Sequence, residues 1–131
     1  GWEKFSNSCY VAVTNLTARM SEARAGCHRM GAELVDILSK EENAFVQQYA
    51  RKTLRKTYIW LGLQRDERRI FNKWFSGKTL GFQNWFYGEP NDYDNKEGCA
   101  LMYIGKYRSG WNDVPCYFDH KPSFVCKKPK Q

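Results

Sequence analysis

The sequence predicts an α+β fold for its 131 residues, and three observations carry that expectation. Two stretches repeat apolar residues at helical spacing: Met20, Ala23, Cys27 and Met30, then Phe45, Val46 and Tyr49. Several short apolar runs read as strands, the longest being Tyr58-Ile59-Trp60-Leu61-Gly62-Leu63. Between them, Lys78 to Gly98 shows neither period and is rich in Gly, Asn, Pro and aromatics. Two helices, several short strands and one long loop define the class.

Taken in order, Phe5 to Val13 reads as one strand, ending in the β-type run Cys9-Tyr10-Val11-Ala12-Val13. A helix is expected from Thr17 or Ser21 to Met30, with Gly31 as its stop. Leu34-Val35-Asp36-Ile37-Leu38 is a short apolar strand. Ser39-Lys40-Glu41-Glu42 forms a capping-box pattern: the Ser39 hydroxyl accepts from the N3 amide and Glu42 reaches back. The helix it opens runs to about Leu54, with Phe45, Val46 and Tyr49 inward. Tyr58 to Leu63 is continuously apolar and so a fully buried strand. Gln64 to Arg69 is a charged loop, Ile70 to Phe75 a short strand, and Ser76-Gly77 a turn. Cys99 to Ile104, Gly110-Trp111 and Ser123 to Cys126 supply the remaining strands. A structureless segment as long as Lys78–Gly98 inside a compact domain is usually functional.

The length suits one domain, 1–131, and the abrupt start at Gly1-Trp2 suggests a mature chain or excised ectodomain. With 42% hydrophobic and 16% aromatic residues, the chain has the material for a packed core and not the composition of a disordered segment. No apolar run approaches the roughly 20 residues that span a membrane. Net charge is +7. The basic residues gather at Arg51-Lys52, Arg55-Lys56, Arg65, Arg68-Arg69, Lys73 and the tail Lys127-Lys128-Lys130. They read as a solvated face, or as attraction to a sulfated glycan, an acidic protein or a lipid headgroup. Nucleic acid is not expected, since the chain shows no recognition helix, zinc spacing or ribonucleoprotein motif. Cys9, Cys27, Cys99, Cys116 and Cys126 form no Cys-x-x-Cys pair, and neither His28 nor His120 sits where zinc would need it. Spread cysteines in a small domain favour disulfides and an oxidising, extracellular setting. The sequon Asn15-Leu16-Thr17 makes Asn15 a glycosylation candidate. The odd cysteine count leaves one thiol over, for which Cys9 is the candidate.

The chemistry concentrates in Phe86-Tyr87-Gly88-Glu89-Pro90-Asn91-Asp92-Tyr93-Asp94-Asn95-Lys96-Glu97-Gly98-Cys99, followed by Trp111-Asn112-Asp113. Carboxylate and amide oxygens are hard ligands, and gathered on one loop they suit Ca²⁺, which takes about 6–8 oxygens. An EF-hand reading of Asp92-x-Asp94 fails, because Lys96 occupies a ligand position and Glu97 the obligatory glycine. Catalysis is not expected: no Gly-x-Ser-x-Gly, His-Glu-x-x-His or phosphate loop occurs.

In order along the chain stand Gly1-Trp2 with Cys9-Tyr10, Glu22-Ala23 with Cys27, and Gly31-Ala32-Glu33-Leu34-Val35. Then come Ser39-x-x-Glu42-Asn43, Ile59-Trp60-Leu61-Gly62-Leu63, Asn84-Trp85 and Glu89-Pro90-Asn91. Glu97 and Cys99, Trp111-Asn112-Asp113 with Cys116, and Phe124-Val125-Cys126 complete the series. With these pieces the sequence resembles a C-type lectin-like domain over essentially its whole length. The resemblance implies two helices, small antiparallel sheets, a long calcium-binding loop and termini that meet in one sheet. It implies the disulfides Cys27–Cys126 and Cys99–Cys116, with Cys9 as half of an N-terminal pair whose partner lies upstream. It places Glu89, Asn91, Glu97, Asn112 and Asp113 at the positions that hold the family's sugar-binding Ca²⁺, and Pro90 as a cis proline between two of them. Tyr93 and Val114 fall where family members set side chains against the sugar ring.

In the family, Glu-Pro-Asn at this triplet goes with mannose-, fucose- and N-acetylglucosamine-type sugars, bound through two neighbouring equatorial hydroxyls. A second, auxiliary ion is expected to bind weakly or not at all. Gly98 replaces an acidic neighbour, the Gln64–Arg69 loop looks one residue short, and only Asp66 and Asp92 could serve as ligands. Without that ion the long loop should be softer and calcium affinity low, in the roughly 10⁻⁴–10⁻³ M range of extracellular modules. Met20 stands where the family often has Trp. The leading expectation is therefore an extracellular, calcium-dependent lectin for mannose-type glycans in immune recognition, endocytosis or adhesion. It would be multivalent through regions outside this chain. The alternative is a protein- or glycosaminoglycan-interaction module using the basic surface of the same fold.

Overall fold

The computed structural model describes residues 1–14, 19–106 and 109–131. The sequon at Asn15 and the earlier of the two expected helix starts, Thr17, lie outside the described residues. The elements run β1 (Glu3–Phe5), β2 (Ser8–Val13), α1 (Met20–Arg29), β3 (Glu33–Leu34), α2 (Lys40–Thr53), β4 (Tyr58–Gln64), β5 (Cys99–Tyr103), β6 (Trp111–Val114) and β7 (Ser123–Pro129). They form one sheet in the order β1-β2-β7-β4-β5-β6, with β3 pairing β7. The two ends of the chain meet in it, Ser8 opposite Pro129 on antiparallel strands. The sheet is mixed rather than wholly antiparallel, because β4 and β7 run parallel at Ile59↔Ser123 and Trp60↔Phe124.

The apolar run of β4 follows from its place in the sheet. Ile59, Leu61 and Leu63 point into one core with Val46 and Ala50 of α2, Trp74 and Trp111. Trp60 points the other way, against Met20, Ala23 and Cys27 of α1, Leu101 and Phe124. A strand covered on both faces loses the polar alternation of a half-exposed one. Gly62 is required here. A Cβ would stand 2.7 Å from the Leu34 carbonyl, while the Gly62 amide donates to Val35 O at 2.9 Å.

Several local expectations change in the tertiary setting. Phe5 to Val13 is a hairpin, not one strand: Phe5 pairs with Ser8 around a two-residue turn with Ser6 at φ 54. Helix α1 starts at Met20 and ends at Arg29, with Gly31 at φ 71 just beyond it. The strand expected over Leu34–Leu38 keeps its ladder only at Glu33 and Leu34, since the Asp36 carboxylate turns inward to the Ser76 hydroxyl and the Lys127 ammonium. Ile70 to Phe75 forms single bridges, Leu63↔Trp74 and Lys73↔Thr79, instead of a strand.

The N-cap of α2 is half of a capping box. Ser39 Oγ accepts from the Glu42 amide at 3.0 Å, but Glu42 Oε1 accepts from Leu38 N at 2.8 Å, one residue before the cap. Its other oxygen accepts from the Tyr10 hydroxyl and the Lys127 ammonium. This buried network ties β2, β7 and α2 together, and burial beside Glu42 raises the Tyr10 pKa. A second tie positions β6: Trp111 Nε1 donates to Asn43 Oδ1 of α2 at 2.9 Å. Disulfides join Cys27 to Cys126 and Cys99 to Cys116. Cys9 is a buried free thiol. No helix among the described residues is long and apolar enough to cross a membrane.

Candidate metal centre

The loop from Phe86 to Gly98 is held at both ends. At its start the Phe86 amide donates to Trp111 O at 3.0 Å and the Trp111 amide to Asn84 O at 2.8 Å, which docks the loop on β6. At its end the Cys99–Cys116 disulfide links β5 to the chain after β6. Between them the backbone turns sharply. Gly88 has φ 84, Glu89–Pro90 is cis, and Asp92, Asp94 and Asn95 sit at positive φ, the left-handed region these short polar residues tolerate best after glycine. A 3₁₀ turn, Tyr93–Asn95, replaces part of the structureless stretch.

These turns fold the loop onto the Asp113 side chain. Asp113 is fully buried, and its Oδ1 accepts from Asn91 N at 3.2 Å while Oδ2 accepts from Asp92 N at 2.7 Å. Glu97 is fixed in turn: its amide donates to Asp92 Oδ1 at 3.2 Å and its Oε1 accepts from Tyr93 N at 2.9 Å. Carboxylate oxygens of Glu89, Glu97 and Asp113 thereby lie within 4.8 Å of one another. Glu89 Oε1 is buried with no hydrogen-bond partner among the described residues.

Three carboxylates at this spacing repel one another. Burial, together with a hydrogen bond and the charge shared with Asp113, pushes the Glu89 carboxyl up to about 7. Burial also raises the Glu97 carboxyl, and the charges of Asp113 and Asp92 add to the shift. Convergent hard oxygens, one lacking any partner, make a donor set that a divalent oxygen-seeking cation would satisfy. Of the other residues the sequence pointed to, Asn91 lies at the exposed tip and joins through its backbone amide. Asn112 precedes Asp113 on β6, half-buried. Tyr93 is exposed on the loop itself, at the start of its 3₁₀ turn. Val114 is 3% exposed and packs in the core with Met20, Cys99 and Leu101, so it offers no surface to a sugar ring.

The sequence did not point to two arginines. Read as part of a solvated charged loop, Arg65 instead turns inward with 8% of its side chain exposed. Its Nη2 donates to Asp113 Oδ2 at 2.7 Å, its Nε to Glu97 O at 2.8 Å and its Nη1 to Arg69 O at 2.7 Å. The guanidinium also stacks 4.4 Å from the Phe71 ring centroid. Arg69 grips both oxygens of Asp92 and holds that carboxyl below the usual range. Asp66 caps its own loop, accepting from the amides of Arg68 and Ile70. Asp66 is thus engaged by its own loop through Oδ1, and Asp92 by Arg69 through both oxygens. Acidic residues facing a run of arginines was the available signal.

The family model for the Lectin C-type domain matches residues 17–128, and the chain belongs to this family. Over 97% of the chain it is 35% identical to CD209 antigen-like protein A of Mus musculus, and over 98% it is 30% identical to the versican core protein of Homo sapiens. It spans 50% of the length of the first and 4% of the second. Among solved structures, the carbohydrate-recognition domain of cow CD23, crystallised with a GlcNAc2Man3 oligosaccharide, superposes with TM-score 0.86 at 29% identity. That match covers 99% of this chain and 94% of that one. A calcium-independent type II antifreeze protein shares the fold at TM-score 0.80 and 24% identity, covering 98% and 92%. Family membership brings the fold, while any ion or sugar depends on the residues of the site.

Proposed function

We propose that this chain is a calcium-dependent sugar-binding domain for glycans ending in mannose-, fucose- or N-acetylglucosamine-type residues. The observation that carries the reading is the convergence of Glu89, Glu97 and Asp113 around an unsatisfied carboxylate oxygen. In this reading Glu89, Asn91, Glu97, Asn112 and Asp113 hold one Ca²⁺, which when bound supplies open coordination positions for two neighbouring sugar hydroxyls. The chain's own part is to orient that pair. Carboxylate oxygens of Glu89 and Glu97 accept from the hydroxyl protons, and the side-chain amides of Asn91 and Asn112 donate to the hydroxyl oxygens. The intact Glu-Pro-Asn triplet favours equatorial pairs, and exposed Tyr93 could stack on the ring. The function is binding, not catalysis. Disulfides favour an oxidising, extracellular setting, and weak single-site binding calls for several copies.

The test is passage over immobilised mannose in millimolar calcium. Retention released by a chelator, and lost in Glu89→Gln, supports the reading; flow-through contradicts it. A second reading keeps the fold and uses charge. Arg51, Lys52, Arg55 and Lys56 remain exposed at the end of α2, so a sulfated glycan could bind there. Retention on heparin that survives chelation and falls steeply with salt would favour it.

A further inference from the structure

The carboxylates of Asp113 and Asp92 and the carbonyl of Glu97 make an oxygen cage beside the candidate ion site, and the cage is filled by protein. Arg65 reaches Asp113 and Glu97 O, lies 3.6 Å from Asp92 Oδ1, and is itself braced by Arg69 O and Phe71. Arg69 takes the remaining face of Asp92. The two cationic side chains sit on one short loop, and apart from the bracing Arg69 carbonyl the oxygens they bind belong to the ligand loop or to β6. They therefore pin the ligand loop to β4 by charge, from outside the loop itself.

We infer that the Arg65–Arg69 pair is a built-in cation that orders the ligand loop before any metal arrives, in the place where a second ion would otherwise be needed. The inference rests on the proposed calcium site and deepens it. The formal charges agree: Glu89, Glu97 and Asp113 carry −3, Arg65 returns +1, and the remaining −2 matches a single divalent ion. Asp92 against Arg69 balances separately. Arg65 suits the position better than lysine would, since only a planar fork reaches three acceptors in different directions while stacking on an aromatic ring. The loop is then stiff without metal, contrary to the softer loop expected from a lost auxiliary site. Sugar binding should depend on calcium to the first power. Arg65 acts here as a positioning residue through Asp113 and Glu97, touching neither ion nor sugar.

Hydrogen exchange in a chelator, read beside calorimetric titration with calcium alone, tests this. The wild-type chain should bind one ion, and the amides of Asn91, Asp92 and Glu97 should stay protected without it. Arg65→Gln should speed those amides about tenfold or more, the scale of a lost charge-assisted bond, while β2 and β7 amides stay unchanged. Arg65→Lys should fall between. Arg65→Asp with Arg69→Glu should take up two ions and protect the loop only when calcium is present; if that variant does not fold, the Gln and Lys variants decide. Two ions on the wild-type chain, or wild-type exchange in Arg65→Gln, would overturn the inference. A wild-type chain that binds no calcium would sink the proposed function, yet exchange in the chelator would still decide the role of Arg65.

Discussion

Glu89 carries the most information of any single residue. Burial and the neighbouring Asp113 push its ion-free carboxyl up to about 7, so around neutral pH calcium competes with a proton there. Calcium affinity should therefore fall on acidification, by on the order of a hundredfold between pH 8 and pH 5. Calorimetry at the two pH values checks this, and an unchanged affinity would contradict it. The stability sign runs the other way. A carboxyl raised above its ordinary 4.5 stabilises the ion-free fold below that value, and the contribution is lost as pH rises through about 7. Without calcium, the melting temperature of wild type relative to Glu89→Gln should drop across that window, and with calcium the drop should vanish. The candidate ligands were legible in sequence because their types and spacing are chemically unusual. The burial of Val114 is not legible in sequence, because a ring-facing position cannot be told from a core position on β6 without knowing the strand's register.

The ligand loop is the element on which the proposed function turns, and neighbours on other elements hold it in addition to its own hydrogen bonds. The Cys99–Cys116 link closes a short loop of separation 17. Replacing both cysteines by alanine should cost about 3 kcal/mol by the chain-entropy estimate, measurable by urea denaturation, and should weaken calcium binding because it frees the end of the loop. A stability loss with unchanged affinity would show that the arginines alone suffice to hold the loop. The elements least legible in sequence share one cause. The Ser6-Asn7 turn lacks the glycine that usually marks a two-residue hairpin. Glu42 has the spacing of a capping box, but Tyr10 and Lys127 arrive from β2 and β7 to claim its second oxygen. Arg65 stands in a charged run that reads as solvated until Asp113 is brought opposite it. In each case a partner distant in sequence overrides a local preference.

At the scale of the whole molecule, two devices join the ends of the chain to its middle. The Cys27–Cys126 disulfide, of separation 99, removes about 4.7 kcal/mol of unfolded-state freedom in the same model. The second is the ammonium of Lys127, 14% exposed, which bridges two buried carboxylates, Asp36 and Glu42. Lys127→Met leaves those carboxylates unpaired and should cost about 3–5 kcal/mol, with calcium affinity unaffected because the network lies away from the ligand loop. Denaturant unfolding beside a calcium titration separates the two effects. The fold class was legible in the sequence because periodicity and the buried β4 run constrain it. The parallel β4–β7 pairing was not, since register between strands so far apart in the chain leaves no local mark.

A calcium-independent protein shares this fold, so the proposed function depends on the ion and on what completes its coordination. The direct measurement is a crystal structure of the chain grown with calcium and a mannoside. One ion is expected at about 2.3–2.6 Å from side-chain oxygens of Glu89, Asn91, Glu97, Asn112 and Asp113, capped by two neighbouring sugar hydroxyls, with Arg65 still on Asp113. An ion bound elsewhere, or a sugar held on the basic face away from the ion, would contradict it.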